Sequence, residues 1–244
     1  MRIPAAASFA LALSFAFTPA KAAPEDLAGV WVPISSERER APKDGSPGPV
    51  KAVGRFMGDY KAPILQPWAA EKVKHVHDLH ASGGAYVAPE QRCLPYGVPH
   101  VINVPYPFQI LVTPDLVVIL YEVAAMARFI YMNEKLPESV KTTWMGTSVG
   151  RWEGDTLVVD TVGNDARTDV DSYGTPHTED MKVTEYYRVD PANKHLTIEY
   201  VVDDPKTFTT KWKGVSGYSR TDTTIMEYVC AENNRDFAAA AAQQ

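Results

Sequence analysis

The chain has 244 residues, 45% of them hydrophobic, with 24 Lys and Arg against 30 Asp and Glu and a formal net charge of −6 at pH 7. That length and composition support one substantial core. The acidic balance and the lack of any basic cluster exclude a nucleic-acid footprint and a basic membrane-surface helix.

The N-terminus carries Arg2, an apolar run from Ala5 to Phe17, and Ala20-Lys21-Ala22, the pattern of a secretory signal peptide cleaved after Ala22. The run is too short to span a bilayer, so no membrane insertion is expected. Cleavage removes Arg2 and Lys21 and no acid, taking the net charge from −6 to −8. Residues 23–237 read as a single domain, and 238–244, mostly alanine, as a disordered tail. The expected location is periplasmic or extracellular. In that oxidising setting Cys93 and Cys230 read most simply as a disulfide. A nucleophile or metal ligand is the alternative, which their spacing does not favour.

Gly29-Val30-Trp31 reads as the entry to a first strand, with Trp31 plugging the base of a barrel. Ser35 to Pro49 is charged and rich in Pro and Gly, a loop. Pro63 to Ala81 predicts the one clear helix, with Pro67 in its first turn and Gly83-Gly84 ending it. It carries His75, His77 and His80. Only His77 and His80 share a face, and no third ligand of matching spacing follows, so no metal site is expected. Tyr86 to Pro107 is irregular and reads as pinned to the C-terminus by the disulfide.

Strands follow at regular spacing: Phe108 to Val112, Leu116 to Val123, and Arg128 to Met132. Trp144 to Gly163 then predicts a hairpin turning at Gly154-Asp155. In that register Trp152 faces Leu157 and Arg151 faces Val158, with Arg151 and Asp160 as diagonal neighbours on the outer face. A three-residue loop would slip the register and mix the faces. Further strands are expected at Met181 to Val189, His195 to Asp203, near Phe208 to Trp212, and at Thr224 to Cys230. About nine strands with short connections predict an all-β, lipocalin-like up-and-down barrel with one helix and a Pro-rich segment.

Two sets of ionisable residues fall in register with apolar ones. Glu122 shares a strand face with Leu116, Val118 and Leu120, and Arg128 one with Ile130 and Met132. Across a short loop the two would oppose one another, as a rim salt bridge or as an interior ion pair. If the following strand reaches back to His177, one face holds His177, Glu179, Met181, Val183, Glu185 and Tyr187. A His and two Glu among apolar neighbours would make an acid–base group. The alternatives are that His177 lies in a loop with Glu185 paired structurally, or that His177 and Glu179 ligate a metal with help from Asp171 or His100. No P-loop, dinucleotide fingerprint, G-x-S-x-G elbow or HExxH is present.

The segments CLPYGVPH, PYPFQILVTP, VVILYE, GRWEGDTLVVDT, GTPHTED, VDDP and EYVCAENN, in order across residues 93–234, resemble a large family of uncharacterised exported bacterial proteins. The resemblance implies a shared scaffold and a polar set at Glu122, Arg128, Arg151, Asp160, His177, Glu179 and Glu185. It implies no particular reaction. This chain departs from the pattern at His100, where an Arg is usual, and at Asn133-Glu134-Lys135-Leu136-Pro137, which replaces an Asp-Gly-Arg-x-His-Pro turn.

The function expected from these readings is a cofactor-independent isomerase or lyase acting on a small hydrophobic or aromatic molecule in an apolar barrel cavity. His177, Glu179 and Glu185 would be catalytic. Glu122, Arg128, Arg151, Asp160 and Tyr187 would bind the ligand, with no metal and no cofactor. A carrier or sensor of such a molecule, or a structural envelope protein, are the alternatives. The oligomeric state is left open.

Overall fold

The structure is a computed structural model that describes residues 24–137 and 139–232. The predicted signal peptide and tail lie outside the described residues. After a turn of helix, α1 (Pro24–Leu27), come β1 (Gly29–Pro33), a small ribbon of β2 (Ala52–Gly54) and β3 (Met57–Gly58), and the long helix α2 (Pro67–Ala81). Then come β4 (Phe108–Val112), β5 (Leu116–Tyr121), β6 (Met126–Met132), β7 (Thr147–Glu153), β8 (Thr156–Val162), β9 (Lys182–Asp190), β10 (His195–Asp203) and β11 (Trp212–Thr221).

Nine of these strands close into one barrel in the order β1-β11-β10-β9-β8-β7-β6-β5-β4, with β1 also paired to β4. Closure leaves the barrel no edge to protect. Alternation decides which side chains enter. On β10, Leu196, Ile198, Tyr200 and Val202 are buried while the residues between them are not. On β6 the buried set is Met126, Arg128, Ile130 and Met132. Trp31 is wholly buried and its Nε1 donates to the Leu27 carbonyl at 3.0 Å, so the first strand is anchored at the base as expected.

The hairpin has the expected register. Trp152 pairs with Leu157, Arg151 with Val158 and Glu153 with Thr156, leaving Gly154 and Asp155 as the two-residue turn. Three expectations change. The barrel is not purely up-and-down: β6 and β7 run parallel, pairing Ile130 with Ser148 and Met132 with Gly150. The segment between them carries the chain back to the starting end, as a parallel pair requires.

The second change is at the C-terminal end. The last strand is β11, longer than the short run expected near Phe208 to Trp212, and Thr224 to Cys230 is not a strand. Glycines and serines mask the alternation in β11. Gly214 is required there, because a Cβ would fall 2.1 Å from Cζ of the Tyr200 ring.

The third change is that β9 begins at Lys182, so His177 and Glu179 precede it in a loop. The physical reason is a clamp. The Asp204 carboxylate accepts the Thr178 N–H at 2.7 Å and the Thr178 hydroxyl at 2.9 Å, and Met181 N–H turns back to the Thr178 carbonyl at 3.1 Å. Thr178 therefore has no strand neighbour to pair with.

Helix α2 packs Ala69, Val73 and Val76 inward. Its histidines face other partners, His77 edge-on to Tyr60 at 5.1 Å and His80 against Phe56 at 5.8 Å. Cys93 and Cys230 are bonded, closing a separation of 137 residues. The final segment is also held by Met226 N–H donating to Glu122 Oε2 at 2.8 Å and by Tyr228 meeting Tyr106 edge-on at 5.9 Å. A loop that long constrains the unfolded chain by about 4–5 kcal/mol in the chain-entropy account. Thermal melts with and without reductant should therefore separate by many degrees. Coincident melts would show that the disulfide holds only the local segment.

Candidate functional site

The polar residues singled out in the sequence separate into three places. The first is the barrel interior. Arg128, on β6, is 1% exposed, and Glu185, on β9, is 0% exposed. Arg128 Nη1 donates to Glu185 Oε1 at 2.9 Å, and Nη2 donates to Oε2, a bidentate pair. Arg128 Nη2 also reaches Thr161 Oγ1 at 2.7 Å and Ser148 Oγ at 3.1 Å, and Nε reaches Ser148 Oγ at 3.2 Å. The Tyr187 hydroxyl donates to Glu185 Oε1 at 2.9 Å. Burial first, and then the Glu185 carboxylate, hold the Tyr187 phenol well above its ordinary range.

Arg128, Glu185 and Tyr187 therefore meet, but as one another's partners. Phe108, Tyr121, Tyr200, Trp212 and Tyr218 are buried in the same core, so the interior is packed and not the open ligand cavity expected from sequence. Glu122 is not opposite Arg128. The register pairs Ile119 with Arg128 and Tyr121 with Met126, which puts Glu122 in the connecting turn, where it holds the C-terminal segment. Arg128 and Ser148 also border a cavity of about 480 Å³ beside Phe129, Tyr131 and Trp144. Arg128 offers that cavity no free charge, since its guanidinium is committed inward.

The outer wall is the second place. Arg151 Nη1 donates to Asp160 Oδ2 at 2.6 Å and its Nε to Glu153 Oε1 at 2.8 Å. Thr184 donates to Asp160 Oδ1 at 2.8 Å. This is the expected diagonal pair. Its side chains are 47% and 30% exposed, on the outside of the barrel and far from any enclosed ligand. Such pairs contribute little to stability.

The third place is the loop before β9. His177 is buried, and both ring nitrogens are used. Nδ1 lies 2.9 Å from the Thr178 carbonyl and Nε2 lies 2.8 Å from the Thr168 hydroxyl, which itself donates to the Asp165 carbonyl at 3.0 Å. Burial lowers its pKa. Glu179 is exposed and borders a surface groove with Leu136 and Pro137. The strand face expected to align His177 with Glu179 and Glu185 is therefore not formed.

A different constellation emerges from the segment read as merely irregular. A cavity of about 730 Å³ is bounded by Phe56 and Met57 of the small ribbon, His80 of α2, Tyr86, Glu90, Tyr96, His100 and Tyr106 of the disulfide-tied segment, and Ser172. Volumes of this size suit small organic ligands. Its position follows from how the segment docks. His100–Asn103 form one turn of 3₁₀ helix that plugs the barrel mouth. Asn103 Nδ2 donates to the Tyr200 hydroxyl at 2.8 Å, and the Ser216 hydroxyl donates to Asn103 Oδ1 at 2.8 Å. The Tyr218 hydroxyl donates to the Ile102 carbonyl. His100 thus sits at the junction, buried on one side by the plug and open on the other to the cavity.

The opposite wall is a tight turn. Asp171 Oδ1 accepts the N–H groups of Tyr173 at 2.8 Å and Thr175 at 3.1 Å, and Val170 N–H bonds to the Thr175 carbonyl at 2.9 Å. Gly174, at φ +72°, lets the turn lie against α2, since a Cβ there would be 2.6 Å from Val76. Ser172 is exposed at the tip, with Oγ 3.3 Å from His100 Nε2. Burial lowers the His100 pKa to about 4, opposed by a hydrogen bond to the Asp169 backbone. Tyr96 meets the His100 ring edge-on at 5.0 Å.

Asp169 lies just behind, accepting the Tyr86 hydroxyl at 3.0 Å. Burial, with the charges of Glu90 and Asp171, raises its pKa to about 8. Burial likewise raises Glu90 and Asp171. None of Tyr86, Glu90, Tyr96, Tyr106 and Ser172 stood out in the sequence. The available signal was weak: aromatic residues, a His and a Glu in a long irregular segment held by a disulfide.

No protein-family model matches the chain, and no curated protein is similar enough to be counted a relative.

Two predictions follow from these charges. Removing one member of the buried pair, as in Arg128→Met or Glu185→Leu, strands the other and should cost about 3–5 kcal/mol, whereas the two together should cost much less than the sum. Urea titration of the three variants measures the coupling, and additive losses would deny it. With its pKa raised to about 8 by burial, Asp169 keeps in the folded protein a proton that the unfolded chain releases near the ordinary carboxylate value of 3.8. The folded state then binds more protons, so stability falls as pH rises between these values, by about 1.4 kcal/mol per pH unit for such a group. Asp169→Asn should flatten the decline between pH 5 and pH 8 in urea titrations. An unchanged slope would locate the effect elsewhere.

Proposed function

We propose that this is an exported small-molecule-binding protein whose ligand site is the aromatic-walled cavity between the disulfide-tied segment, the β2–β3 ribbon and the Ser172 turn. The observation that carries the reading is the cavity itself. It has a volume of about 730 Å³, aromatic walls from Phe56, Tyr86, Tyr96 and Tyr106, and a few polar groups at Glu90, His100 and Ser172. Apolar pockets with a few convergent polar groups are where small ligands bind. The barrel is the scaffold, packed inside and rigid. The partner is a small, largely aromatic or hydrophobic molecule.

Export is supported by the N-terminal pattern and by the Cys93–Cys230 disulfide. Among the described residues no helix is long and apolar enough to cross a membrane. An isomerase or lyase built on His177 and Glu179 draws less support from the geometry, because the His177 nitrogens are both engaged and Glu179 points to solvent. The resemblance to uncharacterised exported proteins is consistent with a shared barrel whose outer cavity differs from one member to another.

Isothermal titration against small uncharged aromatics such as indole, acetanilide and benzyl alcohol tests the reading. Binding is expected for at least one. Tyr96→Ala should weaken it about tenfold, the scale of one lost aromatic contact, and Glu179→Ala should leave it unchanged. Equal affinity in the Tyr96 variant would place the ligand elsewhere.

A further inference from the structure

Resting on that cavity as the ligand site, we propose that Ser172 and His100 form a nucleophile–base pair that hydrolyses small aromatic or hydrophobic esters. Four observations converge. Ser172 Oγ lies 3.3 Å from His100 Nε2, and both residues line the same cavity. The separation is at the long end, as general-base contacts often are before substrate is bound. The serine is exposed at the tip of a turn whose backbone is fixed by Asp171, so its hydroxyl is presented to the cavity. The His100 ring is packed by the edge of Tyr96, with ring centroids 5.0 Å apart. In the neutral tautomer whose Nε2 carries no proton, that nitrogen accepts from the serine hydroxyl.

The chemistry closes on these groups. Ser172 Oγ bonds to the ester carbonyl carbon as its proton passes to His100 Nε2. The carbon–oxygen bond to the alcohol breaks, and the alcohol leaves with that proton. Water then adds to the acyl-serine with His100 again taking the proton, the acid departs, and Ser172 is restored. No oxidant or cofactor enters. The neutral His100 that burial favours is the form the first step needs. His177, equally buried and better bonded, cannot replace it, since its Nε2 faces Thr168 inside the loop.

The test uses the mature protein, phenylmethanesulfonyl fluoride and p-nitrophenyl acetate. The sulfonyl group should add once, at Ser172, with fluoride leaving, as read by intact mass and peptide mapping. Hydrolysis of the acetate should fall in the labelled protein and by about a hundredfold or more in Ser172→Ala. That variant alters an exposed turn residue and should fold as the parent does. The parent protein should bind acetanilide, the uncleaved amide, without turnover, which separates the two readings. Acetanilide binding with no label at Ser172, or with hydrolysis undiminished in Ser172→Ala, overturns the pair and leaves the binding reading standing. Failure of the parent protein to bind any of indole, acetanilide and benzyl alcohol overturns the binding reading. His100→Gln should abolish labelling at Ser172, and labelling at the parent rate in a folded His100→Gln protein would also overturn the proposal.

Discussion

The barrel is organised by an ion pair that closes it from within. Arg128 starts on β6 and reaches Ser148 on β7, Thr161 on β8 and Glu185 on β9, so one guanidinium joins four consecutive strands. Two of those strands, β6 and β7, are the parallel pair, which shares only three partner positions, Ile130–Ser148 to Met132–Gly150. This seam, as short as the β1–β4 one, is thus bridged by side chains where backbone pairing is thin. A buried ion pair is seldom the cheapest way to fill a core. Here every nearby acceptor is matched to one register, and a slip of one residue would carry Arg128 or Glu185 to the outside. The pair specifies which strands meet, and the apolar residues around it provide most of the stability.

That division explains what could be read in advance. The hairpin register was legible because segregating Trp152, Leu157 and Val159 from Arg151 and Asp160 allowed one good solution, and the structure has it. The strand face that Arg128 shares with Ile130 and Met132 was legible for the same reason, while the choice between rim and interior was not. Alternation fails where local hydrogen bonds break it. Glu122 lies on the apolar face of Leu116 to Val123 only if the strand continues, and the turn through Ala124 and Ala125, both at positive φ, ends it first. His177 was aligned with Glu185 by a period of two that the Asp204 clamp interrupts. Asp204 is far along the chain, so no reading local to His177 could reveal it.

The cavity was illegible for a different reason. Its walls come from β2–β3, α2, the disulfide-tied segment and the turn at Ser172, parts distant in the chain that only the tertiary fold brings together. Loops held against a rigid scaffold are where binding groups usually reside. The disulfide was the useful clue, since it marks the segment around Cys93 as one held in place, and His100 lies seven positions beyond it.

The same placement accounts for the cost carried on that side of the molecule. The barrel's interior charges are mutually satisfied, but Asp169, Asp171 and Glu90 are buried carboxyls whose pKa values rise. They flank the place where His100 meets Ser172. A structure selected only for stability would replace them, since an uncharged neighbour would remove the penalty. Their arrangement instead keeps the Asp171 turn narrow and holds Tyr86 through Asp169. Burial disfavours the charged form of each of these carboxyls and of His100 alike. On the binding reading proposed above, a wall whose groups are pushed toward their neutral forms suits an uncharged aromatic molecule over an ion.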